Sequence, residues 1–260
     1  MTSDAATGLR TERRGSVLVV MLARPEKRNA LSDRMISGLE ELFRCLDADV
    51  NVVVIAGEGD HFSAGLDLAE MKDRDALDGV LHSRTWHRCF TTIEQSGVPV
   101  VAALHGAVVG GGLELAATAH IRVADETTFY ALPEGQRGLF VGGGGSVRVS
   151  RLTGTARMVD MMLTGRRSGA RDGERIGLSQ YVVEPGESLD TALSLAGRIA
   201  DNAPQTNFAV TQVLPIVPEI GPQQGLVMES LMAAIAQSTP DAKARMDAFL
   251  SGRAKKVTDD

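Results

Sequence analysis

Two glutamates, Glu114 and Glu134, each follow a short apolar run and are the candidates for acid–base chemistry. Glu114 ends Gly110-Gly111-Gly112-Leu113-Glu114, which comes soon after the apolar run 99–104, and Glu134 follows Phe129-Tyr130-Ala131-Leu132-Pro133. A carboxylate among apolar residues is costly unless it is paired or used. If two such carboxyl groups met in an apolar pocket, one pKa would rise, and the pair would supply one acid and one base near neutral pH.

Two glycine-containing loops could supply backbone hydrogen-bond donors to the same site. The run at Gly110 predicts a turn between a strand and a helix, where the first N–H groups of the helix have no partner within it. The earlier loop, Phe62-Ser63-Ala64-Gly65-Leu66-Asp67, also follows a predicted strand, Val52 to Ile55, and leads towards a helix. Two N–H groups on one carbonyl oxygen form an oxyanion hole, in which removing a donor typically costs about 2.7–4 kcal/mol of barrier lowering.

Each feature alone also has an ordinary structural interpretation. A glycine run is common in any tight strand-to-helix turn. A glutamate in a first helical turn usually faces solvent and complements the helix dipole, and Glu134 beside Pro133 is a plausible turn residue. On composition alone, the basic cluster Arg24, Lys27 and Arg28 is more typical of a solvated turn than of a phosphate contact.

Taken together and in order, the motifs closely resemble the crotonase superfamily, which contains the enoyl-CoA hydratases and isomerases. The resemblance is carried by residues 62–68, by Gly106 with residues 110–116, by Arg24-Pro25-Glu26-Lys27-Arg28-Asn29, by Pro133-Glu134, by the run 142–145 and by Leu163-Thr164-Gly165. It extends over roughly residues 10 to 256 without interruption. Each motif is weak by itself, but the ordered set is specific.

The resemblance implies hydration of a 2-enoyl-CoA to a 3-hydroxyacyl-CoA. It assigns Glu114 and Glu134 as the acid–base pair and the amides of Ala64 and Gly111 as the oxyanion-hole donors. It also implies contacts with coenzyme A at six residues, namely Arg24, Lys27, Arg28, Ala64, Leu66 and Asp67. Coenzyme A would be part of the substrate, and neither a metal nor a redox cofactor is expected.

Two other functions remain open at this stage. One is another crotonase-type reaction, such as enoyl-CoA or dienoyl-CoA isomerisation, and many relatives with such activities lack one of the two glutamates. The other is an acyl-CoA binder without catalysis. The sequence departs from the usual hydratase pattern at Tyr130, Gly135 and Val141, all near the acyl pocket, so acyl length and type are not predicted. Trp86, His87, Cys89 and Tyr130 are candidates to line that pocket, although each is equally typical of ordinary core or surface.

The fold class predicted is α/β. Strands alternate with helices, which indicates parallel strands joined by crossover helices. The resemblance implies a crotonase-like spiral of ββα units over residues 1–198 that contains the acyl-CoA site. A helical segment over 199–260 would then assemble the protein into a homotrimer or homohexamer.

Composition restricts the function further. A net charge of −6 argues against nucleic-acid binding, and no apolar run reaches membrane-spanning length, so a cytoplasmic enzyme is expected. Cys45 and Cys89 stand alone, and the five histidines have no metal-ligand spacing, so no metal site is expected. The run 142–145 lacks the lysine of a phosphate-binding P-loop and is interpreted as flexible backbone before a helix that ends near Arg151.

Local patterns predict individual elements as well. Ser32 is a good N-cap for a helix whose buried stripe is Met35, Ile36, Leu39, Leu42, Phe43 and Leu46. Residues 168–177 predict a short helix closed by Gly177, and residues 180–183 a last strand. Further helices are expected from Leu189 to about Ala200, from about Gly225 to Gln237, and from Thr239 onwards.

Overall fold

The computed structural model describes residues 2–4, 6–70 and 74–253 of the chain and divides into two compact units, Met1–Ala200 and Asp201–Asp260. The strands are β1 Thr2–Asp4, β2 Leu9–Arg14, β3 Val17–Leu22, β4 Val52–Gly57, β5 Val100–Leu104, β6 Ala107–Val109, β7 Ile121–Asp125, β8 Phe129–Ala131, β9 Ser168–Gly169 and β10 Tyr181–Val183. The helices of the first unit are α1 Asp33–Arg44, α2 Ala76–Glu94, α3 Gly111–Ala116, α4 Gly145–Thr153, α5 Thr155–Thr164, α6 Ala170–Ile176 and α7 Ser188–Ala200.

The second unit is helical in the part that the structure describes. It contains α8 Pro204–Phe208, α9 Pro222–Ser238 and α10 Pro240–Leu250, with a π-helical turn at Ala209–Val213. Thr239 caps α10, since its side-chain oxygen accepts a hydrogen bond from the Ala242 amide at 3.2 Å. A proline in the first turn loses no helical hydrogen bond, because its missing N–H would have no partner there.

The main sheet of the first unit has seven strands in the order β1-β2-β3-β4-β5-β7-β10. Its pairs are parallel from β3 onwards, with Val17 opposite Val52 and Val53 opposite Val100. β4 and β5 are buried along their whole length, as expected of parallel strands covered on both faces. The carboxyl ends of these strands therefore lie at one edge of the sheet.

A second sheet of three strands, in the order β6-β8-β9, brings the two glutamates together. Val108 pairs in parallel with Tyr130 on one side and forms a parallel bridge with Ser63 on the other. Because three parallel segments leave the sheet in the same direction, the residues that follow each of them meet at one end. Those residues are the first loop after Ser63, the start of α3, and the turn Glu134–Arg137.

The sequence predicted most of the local elements. Ser32 caps α1 by accepting a hydrogen bond from the Met35 amide at 3.2 Å. Four of the six predicted stripe residues are buried, whereas Leu42 and Leu46 are only partly buried against the core. The helix predicted from Ser168 is wrong at its start, because Ser168–Gly169 pairs with β8 and the helix begins at Ala170.

The described residues lack the features of a membrane span and of a metal site. None of their helices combines the length and the apolar character needed to cross a bilayer. They also contain no group of three or more His, Cys, Asp or Glu side chains placed to hold a metal ion.

Candidate active site

A cavity of about 170 Å³ lies where the three parallel segments end. Its wall includes five of the sequence-predicted site residues, Ala64, Leu66, Gly111, Glu114 and Glu134. Most of the other large side chains around it are apolar, namely Leu68, Trp86, Leu139, Phe140 and Val141, with His82 and Arg137 as the polar additions. Such a cavity, apolar with a few convergent polar groups, is typical of a small-molecule site.

The first loop presents the amide of Leu66 rather than that of Ala64. The Ala64 N–H donates to the Arg28 carbonyl oxygen at 2.9 Å and is therefore already used. The Leu31 amide donates to the Gly65 oxygen at 2.8 Å, and the Leu31 oxygen accepts from the Asp67 amide at 3.0 Å. Leu66 lies between these two residues, so its own N–H and C=O groups point away from Leu31. The Ala64 amide, predicted as an oxyanion-hole donor, is therefore not available to a ligand, and the prediction is corrected to this extent. Among the described residues, the amide that the first loop leaves without an acceptor is that of Leu66, which the sequence predicted only as a coenzyme A contact.

The second loop presents the amide of Gly111, the first residue of α3. Gly110, with φ of +53°, precedes it and donates its own amide to the Ala131 carbonyl oxygen at 2.9 Å. A Cβ at Gly111 would lie 3.3 Å from the Leu66 nitrogen and 2.8 Å from Cζ3 of Trp86. Only glycine fits there without movement, and the Leu66 and Gly111 amides are close neighbours. In the described part of the chain, neither amide has a hydrogen-bond acceptor.

Glu114 is held by the run that precedes α4. Its side chain is buried, at 3% exposure, and its Oε1 accepts hydrogen bonds from the Gly143 amide at 2.8 Å and the Gly145 amide at 2.7 Å. Burial raises the pKa of Glu114 to about 7, although the two amides act in the opposite direction, and the neighbouring Glu134 adds to the increase. Residues 143–145 therefore bind a carboxylate and are not the flexible backbone that the sequence predicted.

This shift gives a prediction about stability. Because the folded pKa of Glu114 lies above its ordinary value of 4.5, the native state holds an extra proton between about pH 4.5 and 7, and stability falls as the pH rises through that window. Glu114→Gln removes this dependence. Urea unfolding at pH 5 and pH 8 is expected to show the wild type losing about 2–3 kcal/mol more than the variant on going to the higher pH. Equal losses in the two proteins would contradict the raised pKa.

Glu134 comes from the turn after β8 and lies beside the other glutamate. Burial raises its pKa, against the effect of Arg137. Its Oε2 is buried and has no hydrogen-bond partner among the described residues. An unpartnered buried carboxyl oxygen is costly, so it is kept protonated or is satisfied by a bound molecule. The structure thus brings together the two acids that the sequence singled out.

The glycine run leads to a second prediction. A Cβ at Gly143 would lie 2.8 Å from Cε2 of Phe90 and 3.1 Å from Oε2 of Glu114, so alanine there pushes on both the Phe90 ring and the carboxylate. In the hydration assay that the resemblance implies, Gly143→Ala is expected to lower kcat by about 10-fold, since even a small misplacement of an acid–base group slows proton transfer. Gly197→Ala is the matched control, because a Cβ on that helical glycine meets nothing within 4 Å. Wild-type turnover by a folded Gly143→Ala protein would contradict the role given to this run.

The other four predicted coenzyme A contacts, Arg24, Lys27, Arg28 and Asp67, are not among the lining residues of this cavity. Nη2 of Arg24 and Nζ of Lys27 contact the same oxygen of Asp67, at 3.0 and 3.2 Å. Burial alone would raise the pKa of Asp67, but the hydrogen bonds from Arg24 and Lys27 outweigh it and hold the pKa low. Arg24 also donates to the Ala30 carbonyl oxygen at 2.7 Å, so its guanidinium is committed to the turn. Lys27 and Arg28 are exposed and remain accessible to an anion.

Only one of the four side chains that the sequence offered as pocket-lining candidates lines the cavity, and a polar lining residue, His82, was not among them. Trp86 lines the cavity as proposed, whereas His87, Cys89 and Tyr130 are not among its lining residues. His82 was not singled out, yet it lines the cavity and its Nε2 lies 2.8 Å from Oδ1 of Asp33. Its position four residues before Trp86 on a helix was the available signal, since such residues share one face.

Comparison with known proteins identifies the family. The sequence profile of a family described as enoyl-CoA hydratase/isomerase matches residues 12–259, nearly the whole chain. The chain belongs to the enoyl-CoA hydratase/isomerase family. The family prediction made from the motifs is therefore confirmed.

Members of this family with known names and structures are similar over nearly their whole length. A short-chain-enoyl-CoA hydratase of Clostridium acetobutylicum is 32% identical over 93% of this chain and 94% of its own. A 2,3-dehydroadipyl-CoA hydratase of Escherichia coli is 31% identical, over 93% and 94%. A crystal structure from Rhodopseudomonas palustris, provisionally named an enoyl-CoA hydratase, superposes with a TM-score of 0.93 at 55% identity, over 97% and 98%. The crotonase fold of the enoyl-CoA hydratase/isomerase family, with its helical C-terminal segment, is thereby confirmed.

Proposed function

We propose that this protein is an enoyl-CoA hydratase, which adds water across the double bond of a 2-enoyl-CoA to give a 3-hydroxyacyl-CoA. One observation carries the proposal: the Glu114 and Glu134 side chains line the same small cavity as Leu66 and Gly111. Isomerisation needs only one group that moves a proton, whereas hydration needs a base for water and an acid for the α-carbon. The relatives named as hydratases support the same reaction.

The amides of Leu66 and Gly111 activate the substrate. They donate hydrogen bonds to the thioester oxygen, and negative charge that reaches this oxygen is stabilised as an enolate. The β-carbon becomes electron-poor as a result. The apolar side chains around the cavity lower the local dielectric constant and strengthen these hydrogen bonds.

The two glutamates then share one water. The ionised carboxylate takes a proton from the water as its oxygen bonds to the β-carbon, and the electron pair of the double bond moves into the enolate. The protonated carboxyl gives its proton to the α-carbon as the thioester carbonyl re-forms. One molecule of water has been added, the two carboxyls have exchanged protonation states, and proton exchange restores them.

Coenzyme A enters as part of the substrate in this proposal, and the steps above use no metal or redox cofactor. Its phosphates would lie near Lys27 and Arg28, whose cations are exposed, with Arg24 and Asp67 holding the turn that carries them. The relatives include a short-chain-enoyl-CoA hydratase and a 2,3-dehydroadipyl-CoA hydratase, so membership of the family does not by itself select an acyl group.

The proposal includes assembly into a homotrimer or homohexamer through the helices of the second unit. On α9, Val227, Leu231 and Ile235 recur every four residues and are 61%, 60% and 51% exposed. An apolar stripe of this kind usually meets a partner. Light scattering coupled to gel filtration would then give three or six times the chain mass of 27.6 kDa. A mass of 27.6 kDa at micromolar concentration would contradict assembly.

The reaction itself is tested with a series of 2-enoyl-CoA thioesters of increasing chain length. Hydration predicts loss of the conjugated-thioester absorbance and a product heavier than the substrate by one water. A product of unchanged mass would indicate an isomerase. Tight binding without turnover, across all chain lengths, would indicate a binding protein and overturn the proposal.

A further inference from the structure

Arg148 on α4 bridges the glycine run to helix α2. Its Nη1 donates to the Gly143 carbonyl oxygen at 3.3 Å, its Nε donates to Oε2 of Glu94 at 3.0 Å, and its Nη2 contacts Oγ1 of Thr91 at 3.2 Å. Nη2 also lies 2.9 Å from Oε2 of Glu94, so two nitrogens of the guanidinium contact the same carboxylate oxygen. The side chain is only 10% exposed, so these contacts are well shielded from solvent.

The contacts of Arg148 end on the residues that hold Glu114. Gly143 accepts from Arg148 through its carbonyl oxygen and donates to Glu114 through its amide, at 2.8 Å. The turn that carries this amide and the Gly145 amide is thus tied to α2, which also provides Trp86 to the cavity wall. If Arg148 lost these contacts, the Gly143 and Gly145 amides could move away from the Glu114 carboxylate.

We propose that Arg148 is a positioning residue that fixes the Gly143–Gly145 turn against α2. The Gly143 and Gly145 amides then bind one oxygen of Glu114 and leave its other oxygen for the substrate water. The part concerning water rests on the proposed hydratase function. The positioning of the Glu114 side chain by Arg148 is independent of that function.

The charges around Glu114 determine the sign of the expected effect. Glu134 faces Glu114 from the turn after β8 and raises its pKa, whereas Arg148 on α4 lowers it. On α2, Glu94 partly neutralises Arg148, and Arg148 and Arg84 both lower the pKa of His87 after the larger effect of burial. Removing the guanidinium therefore takes away a positive charge and loosens two amide donors, and both changes favour the protonated form of Glu114.

The test is a direct titration of Glu114. Carbon-13-labelled glutamate is followed by NMR in the wild type, in Arg148→Met and in Arg148→Lys, with Glu114→Gln to assign the resonance. Arg148→Met is expected to raise the titration midpoint by about one pH unit, the size of shift expected from one nearby charge. Arg148→Lys keeps the positive charge but loses the guanidinium and its several hydrogen-bond donors, and it is expected to raise the Glu114 midpoint by less. Arg88→Met is the matched control, since Arg88 on α2 pairs with Glu40 of α1 at 2.8 Å and does not line the cavity.

Kinetics on a 2-enoyl-CoA complete the test. In Arg148→Met, kcat is expected to fall by about 10- to 100-fold with little change in KM, and the pH dependence of kcat is expected to move upward with the Glu114 midpoint. An unchanged Glu114 midpoint in folded Arg148→Met would overturn the proposal, and Arg148→Lys decides in the same way if the methionine variant does not fold. If the wild type hydrates no enoyl thioester, the proposed function fails, while the titration still decides the role of Arg148.

Discussion

Glu114→Gln is expected to lower kcat for hydration of a 2-enoyl-CoA by about 10²- to 10⁴-fold, the usual contribution of a positioned acid or base. The glutamine oxygen can still accept from the Gly143 and Gly145 amides, at present 2.8 and 2.7 Å from the carboxylate, so the protein should fold. What is lost is the exchange of a proton with water. Initial rates from thioester absorbance, with KM determined for both proteins, measure the effect.

Glu134→Gln should cause a loss of similar size, because hydration uses both carboxyls. The double variant is expected to be little worse than either single variant, since groups that act as a unit have non-additive effects. If either single variant kept wild-type kcat in a folded protein, a mechanism with two carboxyls would be wrong. Full hydration activity of Glu114→Gln alone would indicate that Glu134 carries out both proton transfers.

The second large loss of kcat is expected when a single backbone N–H group, that of Leu66, is removed. Replacing the Leu66 amide by an ester, with leucic acid introduced at that position, removes the N–H and keeps the side chain. Loss of one oxyanion-hole donor is expected to lower kcat by about 10²- to 10³-fold. Steady-state kinetics on the ester protein measure it.

The matched control is the same substitution at Ala64, with lactic acid at that position. It removes the 2.9 Å hydrogen bond to the Arg28 carbonyl oxygen and should reduce the free energy of unfolding by about 1 kcal/mol. Its effect should fall on folding rather than on the chemical step. The reverse pattern, with kcat lost at Ala64 and kept at Leu66, would restore the original prediction for the first loop.

The sequence predicted the two acids and the second loop because those features are local. Gly111 and Glu114 lie within four residues of each other at the start of one helix, and Glu134 directly follows an apolar run that forms a strand. The capping serine of α1 was predictable for the same reason, since its partner is the amide three residues later. Short spacing of this kind fixes which groups face one another.

The rest depended on pairings between residues far apart in the chain. Whether Ala64 or Leu66 turns its amide to the site is decided by Leu31, which forms a bridge to Leu66 and thereby sets the alternation of N–H directions. The run at Gly143 looks like a flexible linker until Glu114, 29 residues earlier, is seen to accept from its amide. His82 enters the wall only because α2 packs over the cavity with Asp33 fixing its ring.

The most direct test of the central claim is a crystal structure with a saturated acyl-CoA, which can bind but cannot add water. The account predicts that the thioester oxygen lies within about 3.2 Å of both the Leu66 and Gly111 nitrogens, with the Glu114 and Glu134 carboxyls facing the α- and β-carbons. A thioester oxygen bound away from these two amides, or either carboxyl turned away from the acyl chain, would contradict it.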